Sequence, residues 1–507
     1  MTNPLYDALF APNSERSDPF LILAKGDPIS HSAFHAMAGQ YANALRAAGV
    51  GVGDRVAVHI QKSPEALALY AGCVRAGAVF LPLNTAYTAA ELDYFVGDSG
   101  AALFVCDPKE VEALAPIAEA KGCRLMSLGG DGAGSLADLV ASQPSAFANA
   151  DRATDDLAAL LYTSGTTGRS KGAMLTHGNL LSNAQALVQE WRFTDQDVLL
   201  HALPIFHSHG LFVATNVMLL AGGAMIFLPK FDQETVLVQL PQATSMMGVP
   251  TFYTRLLDDP RFDAKLTAHM RLFISGSAPL LAETHERFEE RTGHRILERY
   301  GMTETSMNTS NPYLGDRRAG TVGFPLPGVE VKVCDPDTGA ELPQGEIGVL
   351  EVRGPNVFKG YWQMPEKTKA ELRADGFFIT GDLARIDADG YVTIVGRGKD
   401  LIISGGYNIY PKEIELLLDD QPGVAESAVV GAPHPDFGES VVAVLVPEPG
   451  VDLDLAAIEA RVKESLAGFK RPKHIAVLPE LPRNTMGKVQ KNQLRDQFAN
   501  LFRPAKG

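Results

Sequence analysis

Short apolar runs alternate with amphipathic segments through the first two-thirds of the chain. The runs have the length and residue content of buried strands. The clearest of them are Arg55–Ile60, Ala78–Pro82, Leu103–Cys106, Leu157–Leu161, Ala224–Leu228 and Leu272–Ser275. Between such runs, Ser63–Ala76 and Leu281–Thr292 repeat apolar residues with the helical period. This alternation predicts an α/β protein with helix-covered, mostly parallel sheets. In such sheets ligands bind at the carboxyl ends of the strands.

The pattern changes at about residue 328. Several strand-like runs follow one another with few helices between them, and Asp389-Gly390 is a hairpin turn signal. Residues 328–396 are therefore predicted to form a small antiparallel β-barrel or sheet. After Arg397 the pattern mixes again and predicts a separate small α+β unit of roughly 110 residues. Its predicted helices are Pro411–Leu418 and Leu455–Leu466, and its predicted strands are Ala425–Gly431, Val441–Val446 and His474–Leu478.

The length of the chain indicates the number of domains, and its net charge restricts the possible binding partners. The chain has 507 residues, which is too long for one ordinary core and predicts two or more domains. Its 45 Lys and Arg residues oppose 60 Asp and Glu residues, so the formal net charge is −15. An acidic surface repels nucleic acid phosphates, and we expect no nucleic acid partner. Any anionic substrate must be met by local cations, glycine amides or a metal.

The cysteines and the N-terminus indicate a cellular compartment. Cys73, Cys106, Cys123 and Cys334 are far apart, which argues against a zinc site or a disulfide framework and fits a reducing compartment. The N-terminus has no basic region followed by an apolar run. The longest apolar stretch, Met218–Leu228, is too short to span a bilayer. We expect a cytoplasmic protein without membrane contact.

The strongest local motif is YTSGTTGRSKG, which starts at Tyr162 after a predicted buried strand. Its hydroxyls and glycine amides can face an anion, and Lys171 adds a positive charge. No Gly-Lys-Ser/Thr triplet ends the motif, so it is not a Walker A loop, and γ-phosphoryl transfer is disfavoured. On composition alone, a flexible surface loop is the alternative.

Together with five further motifs, this segment resembles the acyl-adenylate-forming superfamily of AMP-dependent synthetases and ligases. The further motifs occur in the family's order and are SGSAPL from Ser275, RYGMTET from Arg299, TGD from Thr380, GRGKDLIISGGYNIYP from Gly396 and PRNTMGKVQK from Pro482. The resemblance covers essentially the whole chain. Ser170 and Tyr407 depart from it, because many relatives carry proline and glutamate at these positions.

The resemblance implies two domains that rotate relative to each other. Residues 1–396 would bind ATP and the acid, 397–400 would form the hinge, and 401–507 would form a small mobile lid. The hinge falls at Lys399, and its neighbour Gly398 suits a position that absorbs backbone rotation. Rotation would carry away Lys488, which stabilises charge during adenylation. It would bring Ser404, Gly405 and Gly406 to the site for thiol transfer.

The resemblance also assigns residues to ATP and magnesium. Glu304 and Thr167 would bind Mg²⁺, which prefers oxygen ligands, and Thr303 would contact the α-phosphate. Asp382 would bind both ribose hydroxyls, and Tyr300 would stack on adenine. The residues assigned to the nucleotide are Thr163, Ser164, Gly165, Thr166, Thr167, Gly168, Lys171, Gly276, Ser277, Ala278, Glu298, Arg299, Tyr300, Gly301, Asp382 and Arg397.

Without the resemblance, several of these residues have ordinary structural interpretations. Glu304 and Lys488 would then be solvated surface residues, and Tyr300 would be a core residue. Asp382 would cap a turn. The order of the six motifs favours the functional interpretation.

Three segments line the acyl pocket in this family, and here they most resemble those of malonyl-CoA synthetases. They read PIFHSHG from Pro204, MGVPTFYTRL from Met247 and GMTETSMNTS from Gly301. In a helix begun near Pro250, Arg255 lies beside an apolar pair, where it either reaches solvent or meets an anion. The resemblance implies that it binds the second carboxylate of malonate or methylmalonate. Candidate pocket residues are His207, Ser208, Val249, Thr251, Arg255 and Met307.

The implied reaction is ATP-dependent adenylation of a carboxylate with pyrophosphate release, followed by thioester formation with coenzyme A. Lys488, Glu304, Thr303 and His207 are the candidate catalytic residues. A short- or medium-chain monocarboxylate is the alternative substrate, and a carrier-protein phosphopantetheine is the alternative acceptor. A non-catalytic nucleotide sensor is disfavoured, because the catalytic residues and the whole phosphate loop are present.

The remaining expectations concern partners. We expect small-molecule substrates only, with the chain a monomer or a homodimer. The basic cluster of Lys470, Arg471 and Lys473 is a possible contact for the phosphates of coenzyme A. A basic surface loop is an equally good interpretation of the cluster.

Overall fold

The computed structural model describes residues 2–163, 170–404, 407–435, 437–466, 468–484 and 487–502. The chain divides into two compact units. The large unit comprises Met1–Val331 and Val352–Phe378, and the small unit comprises Lys332–Glu351 and Ile379–Gly507. The boundaries implied by the sequence, 1–396 and 401–507 with a hinge at 397–400, stay a prediction.

The strands follow in chain order. They are β1 Pro19–Ile22, β2 Ile29–Ser30, β3 Arg55–His59, β4 Val79–Pro82, β5 Leu103–Cys106, β6 Arg124–Ser127, β7 Leu157–Thr163, β8 Lys171–Thr176, β9 Val198–His201, β10 Ala224–Phe227, β11 Ser245–Gly248, β12 Leu272–Ser275, β13 Leu297–Met302, β14 Ser306–Ser310, β15 Phe324–Pro325, β16 Glu330–Cys334, β17 Gly348–Arg353, β18 Phe378–Ile386, β19 Val392–Arg397, β20 Ile402–Ser404, β21 Tyr407–Ile409, β22 Val424–His434, β23 Gly438–Pro447 and β24 His474–Val477.

The α-helices lie between these strands, and a π-helical segment spans His209–Thr215. The α-helices are α1 Pro4–Leu9, α2 His31–Ala47, α3 Pro64–Ala76, α4 Ala89–Ser99, α5 Val111–Ala120, α6 Ser135–Ala141, α7 His177–Trp191, α8 Asn216–Ala221, α9 Gln233–Gln239, α10 Pro250–Leu257, α11 Ala264–Thr267, α12 Ala282–Thr292, α13 Pro365–Glu371, α14 Pro411–Asp419, α15 Leu455–Ser465 and α16 Lys491–Phe498.

Helix α3 shows how local sequence sets these bounds. The Ser63 hydroxyl accepts a hydrogen bond from the Ala66 amide at 3.1 Å, and Pro64 occupies the first helical position, where its missing N–H costs nothing. Gly77 ends the helix with a φ of 69°, a left-handed conformation that suits glycine. The sequence prediction of Ser63–Ala76 is therefore confirmed to within one residue.

The large unit contains two sheets that are mostly parallel. One has the order β15-β14-β13-β12-β11-β9-β10-β1-β2, with parallel pairing from β13 to β1 and antiparallel pairing at both edges. The other has the order β6-β5-β3-β4-β7-β8, with only β8 antiparallel to its neighbour. Buried side chains of α10 and α12 pack on the first sheet, where the rings of Phe273 and Phe288 lie 5.0 Å apart. The predicted α/β class is confirmed.

The small unit carries most of the sheet β16-β17-β18-β19 and all of the sheet β21-β20-β23-β22, to which β24 adds in parallel to β23. Apolar residues of α14 and α15 form a core with β22 and β23. This arrangement agrees with the antiparallel and α+β parts predicted from the sequence. In the described part of the chain, no helix combines the length and the apolar character needed to cross a membrane.

Candidate active site

The loops predicted to bind the acid and the adenine lie at one edge of the larger sheet. Strands β9, β11, β12 and β13 are parallel neighbours, with residue pairs His201 and Met247, Gly248 and Ser275, and Ser275 and Glu298 in register. Their carboxyl ends therefore lie side by side. The segments that follow β9, β11 and β12 are those predicted to line the acyl and adenine sites, and this edge is where α/β sheets bind ligands.

Arg299 is the buried cation of this edge. The residue is 3% exposed, and its Nε and Nη2 atoms have no hydrogen-bond partner among the described residues. Burial lowers the pKa of Arg299 to about 9, which still leaves the guanidinium charged at neutral pH. A buried charge without a partner costs several kcal/mol, roughly. Arg299 is therefore a candidate for binding an anion.

The neighbours of Arg299 are small or neutral. A Cβ atom on Gly276 would lie 2.3 Å from the Arg299 Cζ, so glycine is required for the guanidinium to lie there. The next residue, Ser277, has a φ of 71° and its Oγ lies 3.1 Å from the Nδ1 of His209. Burial, and next the Arg299 charge, lower the pKa of His209 well below its usual value. His209 is therefore neutral and does not offset the Arg299 charge.

The side chains of Glu304 and Lys171 both contact the hydroxyl of Tyr361. The Tyr361 hydroxyl lies 3.1 Å from the Glu304 Oε1 and 2.7 Å from the Glu371 Oε2. The Lys171 Nζ lies 3.1 Å from that hydroxyl and 3.3 Å from the Glu371 carboxylate. The Thr163 hydroxyl reaches the Glu304 Oε1 at 3.4 Å. Residues predicted for the phosphates and the metal thus lie together.

In the small unit, Asp382 and Arg397 form an ion pair with an Nε to Oδ1 distance of 2.7 Å. They are opposite each other in the β18–β19 ladder, and Asp382 is 3% exposed. Lys488 interacts electrostatically with both Arg397 and Asp382, although its side chain is exposed to solvent. Desolvation lowers the pKa of Lys488, the Arg397 charge lowers it further, and Asp382 raises it. Lys399 is exposed in a 3₁₀ turn at Gly398–Asp400.

The predicted acyl residues differ in exposure. Ser208 is 3% exposed, and its Oγ has no hydrogen-bond partner among the described residues. Val249 and Met307 are buried, and a Cβ on Gly301 would lie 2.5 Å from the Met307 Cε. Thr251 and His207 are half-buried. Arg255 is exposed on α10, so it is not enclosed as Arg299 is.

Some of the remaining predicted residues are described, and the others lie outside the described residues. The Glu298 Oε1 accepts a hydrogen bond from the Leu280 amide at 3.4 Å. Tyr300, Ala278 and Thr303 are half-buried, and Ser404 ends β20. Ser164, Gly165, Thr166, Thr167, Gly168, Gly405 and Gly406 lie outside the described residues.

The basic cluster predicted as a coenzyme A contact is largely paired within the small unit. The Lys470 Nζ lies 2.6 Å from the Glu413 Oε1, and Arg471 donates to the Leu466 carbonyl at 2.8 Å. Lys473 is exposed. The assignment to coenzyme A stays a prediction.

Sequence comparison with protein families decides what kind of protein this is. A model described as AMP-binding enzyme matches residues 11–362, and a model described as AMP-binding enzyme C-terminal domain matches residues 413–488. The chain belongs to the AMP-binding enzyme family. The first match alone covers more than half of the 507 residues, and the family predicted from the six motifs is confirmed.

Individual relatives of this AMP-binding enzyme cover nearly all of it. A feruloyl-CoA synthase of an Amycolatopsis species is 38% identical over 93% of this chain and 94% of its own. A malonate–CoA ligase of Arabidopsis thaliana is 36% identical over 88% of this chain and 78% of its own. The crystal structure of ATP-bound MatB from Rhodopseudomonas palustris is 58% identical, with a TM-score of 0.97 over 99% of this chain and 100% of that chain.

Sequence reasoning missed three residues that contact predicted site residues of this AMP-binding enzyme. Tyr361 and Glu371 join Lys171 to Glu304, yet they lie more than fifty residues beyond Glu304 in the sequence. Only the fold brings them there, and no spacing signals it. His209 stands in the acyl-pocket segment PIFHSHG, so it could have been singled out with His207.

The contact between Gly276 and Arg299 gives a first prediction for this AMP-binding enzyme. Gly276→Ala should force the guanidinium to move, because the new Cβ would lie 2.3 Å from its Cζ. Overpacking of this kind costs about 1–3 kcal/mol, so we expect kcat/KM for the preferred acid to fall about tenfold or more. Gly468→Ala is the matched control, since a Cβ there meets nothing within 4 Å. Unchanged steady-state kinetics for Gly276→Ala would show that activity does not depend on the present position of the Arg299 guanidinium.

Proposed function

We propose that this AMP-binding enzyme is a malonate–CoA ligase that also tolerates closely related dicarboxylates such as methylmalonate. In the first half-reaction the acid and ATP form an acyl-adenylate and pyrophosphate. In the second half-reaction the thiol of coenzyme A takes the acyl group and AMP leaves. The malonate–CoA ligase of Arabidopsis thaliana, at 36% identity, supports this substrate.

The observation that carries the choice of a diacid is the buried, unpaired guanidinium of Arg299. Adenylation uses one carboxylate of the acid. A second carboxylate would supply the anion that Arg299 lacks, and a guanidinium can bind it with two parallel hydrogen bonds. The exposed Arg255 on α10 is the second candidate for this contact, in which it would meet the carboxylate from the solvent side.

The first half-reaction joins two anions, so charge neutralisation and positioning supply most of the catalysis. A carboxylate oxygen attacks the α-phosphorus, and the bond to the bridging oxygen breaks as pyrophosphate leaves with the electron pair. We assign the β- and γ-phosphates to Lys171, the ribose to Asp382 and the developing charge at the α-phosphoryl group to Lys488. Lys171 must then exchange its contact with Glu371 for phosphate oxygens.

A magnesium ion fits next to the Glu304 carboxylate. Glu304 is 5% exposed, and its Oε1 accepts from the hydroxyls of Thr163 and Tyr361, so a buried carboxylate lies next to Thr163, the first residue assigned to the phosphate motif. When bound there, the ion would neutralise part of the phosphate charge. Among the residues that the structure describes, no group of three or more His, Cys, Asp or Glu side chains is placed to hold a metal, and an ion bound mainly by phosphates does not need one.

The second half-reaction would require the lid to rotate about Lys399. Lys399→Pro should block acyl-CoA formation but keep much of the adenylation activity, because proline fixes φ at the predicted hinge. Lys399→Ala is the control, since it removes the charge but keeps the backbone free. The measurement compares pyrophosphate release with acyl-CoA formation for both variants. Equal loss of the two half-reactions in a folded Lys399→Pro variant would count against rotation at this residue.

An aromatic acid is the competing substrate, because the feruloyl-CoA synthase from Amycolatopsis is 38% identical to this chain. An aromatic monocarboxylate would leave the Arg299 charge unpaired when it excludes water from the pocket, and unpaired buried charges are costly. The buried Ser208 hydroxyl would also lose access to a polar partner. We therefore favour the diacid over the aromatic acid.

The deciding experiment is a pyrophosphate-release assay with acetate, butyrate, malonate, methylmalonate, succinate and ferulate, each with and without coenzyme A. We expect malonate to have the highest kcat/KM, with methylmalonate next. A preference for butyrate or ferulate would refute the dicarboxylate proposal. Adenylation without thioester formation from free coenzyme A would point to a carrier-protein acceptor.

A further inference from the structure

Lys62 is a lysine of the large unit that no proposed catalytic step uses. Desolvation lowers the pKa of Lys62 well below its usual value, whereas the three acceptors around its Nζ favour the protonated form. It stands directly before Ser63, the N-cap residue of α3, and its ammonium end is turned inward. Its Nζ lies 2.7 Å from the Nδ1 of His201, 2.8 Å from the His201 carbonyl and 2.9 Å from the Leu203 carbonyl. It also lies 4.2 Å from the centre of the Phe227 ring. No carboxylate in the described part of the chain forms an ion pair with it.

These contacts determine the proton position on His201. A carbonyl oxygen can only accept, so the Gly210 carbonyl requires the His201 proton on Nε2, and the His201 Nδ1 accepts from Lys62. The Nε2 atom lies 2.8 Å from the Gly210 carbonyl and 3.3 Å from the Thr215 hydroxyl. Burial, and next the Lys62 charge, lower the pKa of His201 well below its usual value and keep the ring neutral. Lys62 and the Gly210 carbonyl therefore favour the same tautomer, with the proton on Nε2.

The loop between Leu203 and Gly210 carries the predicted acyl-pocket residues His207 and Ser208. The ammonium of Lys62 holds the start of this loop directly, through the Leu203 carbonyl, and its end indirectly, through His201. At Gly210 the chain is so close that a Cβ atom would lie 2.1 Å from the Pro204 carbonyl oxygen. Small shifts at either end would therefore move the whole loop.

Gly210 is also part of the π-helical segment His209–Thr215. Such segments are rare and occur frequently at functional sites. The Thr215 hydroxyl donates to the Gly210 carbonyl at 2.9 Å, so this carbonyl accepts from both His201 and Thr215. His209, one residue earlier, contacts Ser277 beside Arg299. The contacts thus run from Lys62 to the edge where the acid is proposed to bind.

We propose that Lys62 is a positioning residue for the acyl-binding loop, acting through His201 and the carbonyls of Leu203 and Gly210. It does not touch the substrate; it sets the places of His207, Ser208 and His209 around the acid. This role rests on the proposed function only in that the site must bind an acid. It applies to whichever acid the wild-type enzyme prefers.

The test is Lys62→Met, which keeps the length of the stem but removes the three donors. We expect KM for the preferred acid to rise about tenfold or more, in line with loss of hydrogen bonds to a charged group. KM for ATP should stay within about twofold. Lys265→Met, at an exposed lysine of α11, is the control and should change neither constant. Equal increases of both constants in Lys62→Met would mean a general structural role and would overturn the proposal.

A second measurement does not depend on the variant folding. Enzyme with ¹⁵N-labelled histidines should show the His201 signals of the Nε2–H tautomer, assigned by comparison with His201→Gln. In folded Lys62→Met, the Nδ1 signal should shift because this atom loses its hydrogen-bond donor, while the Gly210 carbonyl keeps the proton on Nε2. A wild-type His201 that carries its proton on Nδ1 would overturn the proposal, because Lys62 then has no acceptor there.

Thr215→Val provides a third readout if Lys62→Met does not fold. It removes the other donor to the Gly210 carbonyl at nearly constant volume, and it should raise KM for the acid but not for ATP. An unchanged KM for the acid would contradict the role of this carbonyl. If the wild type prefers a monocarboxylate, the malonate proposal fails, while the Lys62 test is carried out with that acid and keeps its meaning.

Discussion

Lys488→Ala should abolish acyl-adenylate formation while thioester formation from a supplied acyl-adenylate continues. Lys488 follows Gly487, which has a φ of 74°. It interacts electrostatically with Arg397 and Asp382 in the same unit. Loss of one preorganised charge contact to a transition state costs about 3–4 kcal/mol or more, on the order of 10²–10³ in rate. Pyrophosphate release with the acid and ATP, measured over this range, checks the expected loss.

The second half-reaction and a control variant complete this test. Lys463→Ala removes an exposed lysine of α15 and should leave both half-reactions unchanged. If Lys488→Ala releases pyrophosphate at a near-normal rate, the assignment of Lys488 to adenylation is wrong. If it loses both half-reactions equally while folded, Lys488 acts on more than the first step.

Arg299→Gln should reduce kcat/KM for malonate far more than for butyrate. Removal of one partner of a buried charge pair costs about 2–5 kcal/mol, so we expect malonate to lose roughly 30-fold or more. Butyrate has no second carboxylate, and its kcat/KM should stay constant or rise, since Arg299 is buried without a described partner. Steady-state kinetics with both acids on the same preparations measure the difference.

Two further variants separate the proposed arginines. Arg299→Lys should restore the charge but not the two parallel hydrogen bonds, so it should rescue malonate only in part. Arg255→Leu should cost malonate less than about fivefold, because ion pairs at exposed residues contribute about 0.2–1 kcal/mol. A larger loss for Arg255→Leu than for Arg299→Gln would reverse the assignment of the distal carboxylate.

The motifs that identify the family were readable from the sequence because each is local. Lys171, Glu304, Asp382 and Lys488 each stand in a short segment whose residue order identifies the family. The strands were readable for a similar reason, since period and β-branched content are local properties. Strands β5 and β12 have the predicted bounds, and β7 extends two residues beyond its prediction, to Thr163.

The acyl site depended on tertiary structure. Sequence placed Arg299 in the nucleotide motif and gave the distal carboxylate to Arg255, whose place beside an apolar pair allowed contact with either solvent or an anion. Burial of Arg299 comes from the packing of β13 beside β12 and from the absence of a side chain at Gly276. Neither the packing of these strands nor the contact with Gly276 is signalled by a periodic pattern or a motif in the sequence.

The sequence by itself determined the family and the α/β class and predicted the residues of the ATP motifs, because helix period, strand length and glycine-rich loops follow from neighbouring residues. Only the tertiary structure decided which charged side chains are buried without a partner and which ones contact a partner. It joined Lys171 to Glu371 across 200 positions and Lys62 to His201 across 139 positions. The cost of a buried charge depends on every atom around it, and residues distant in sequence supply most of those atoms.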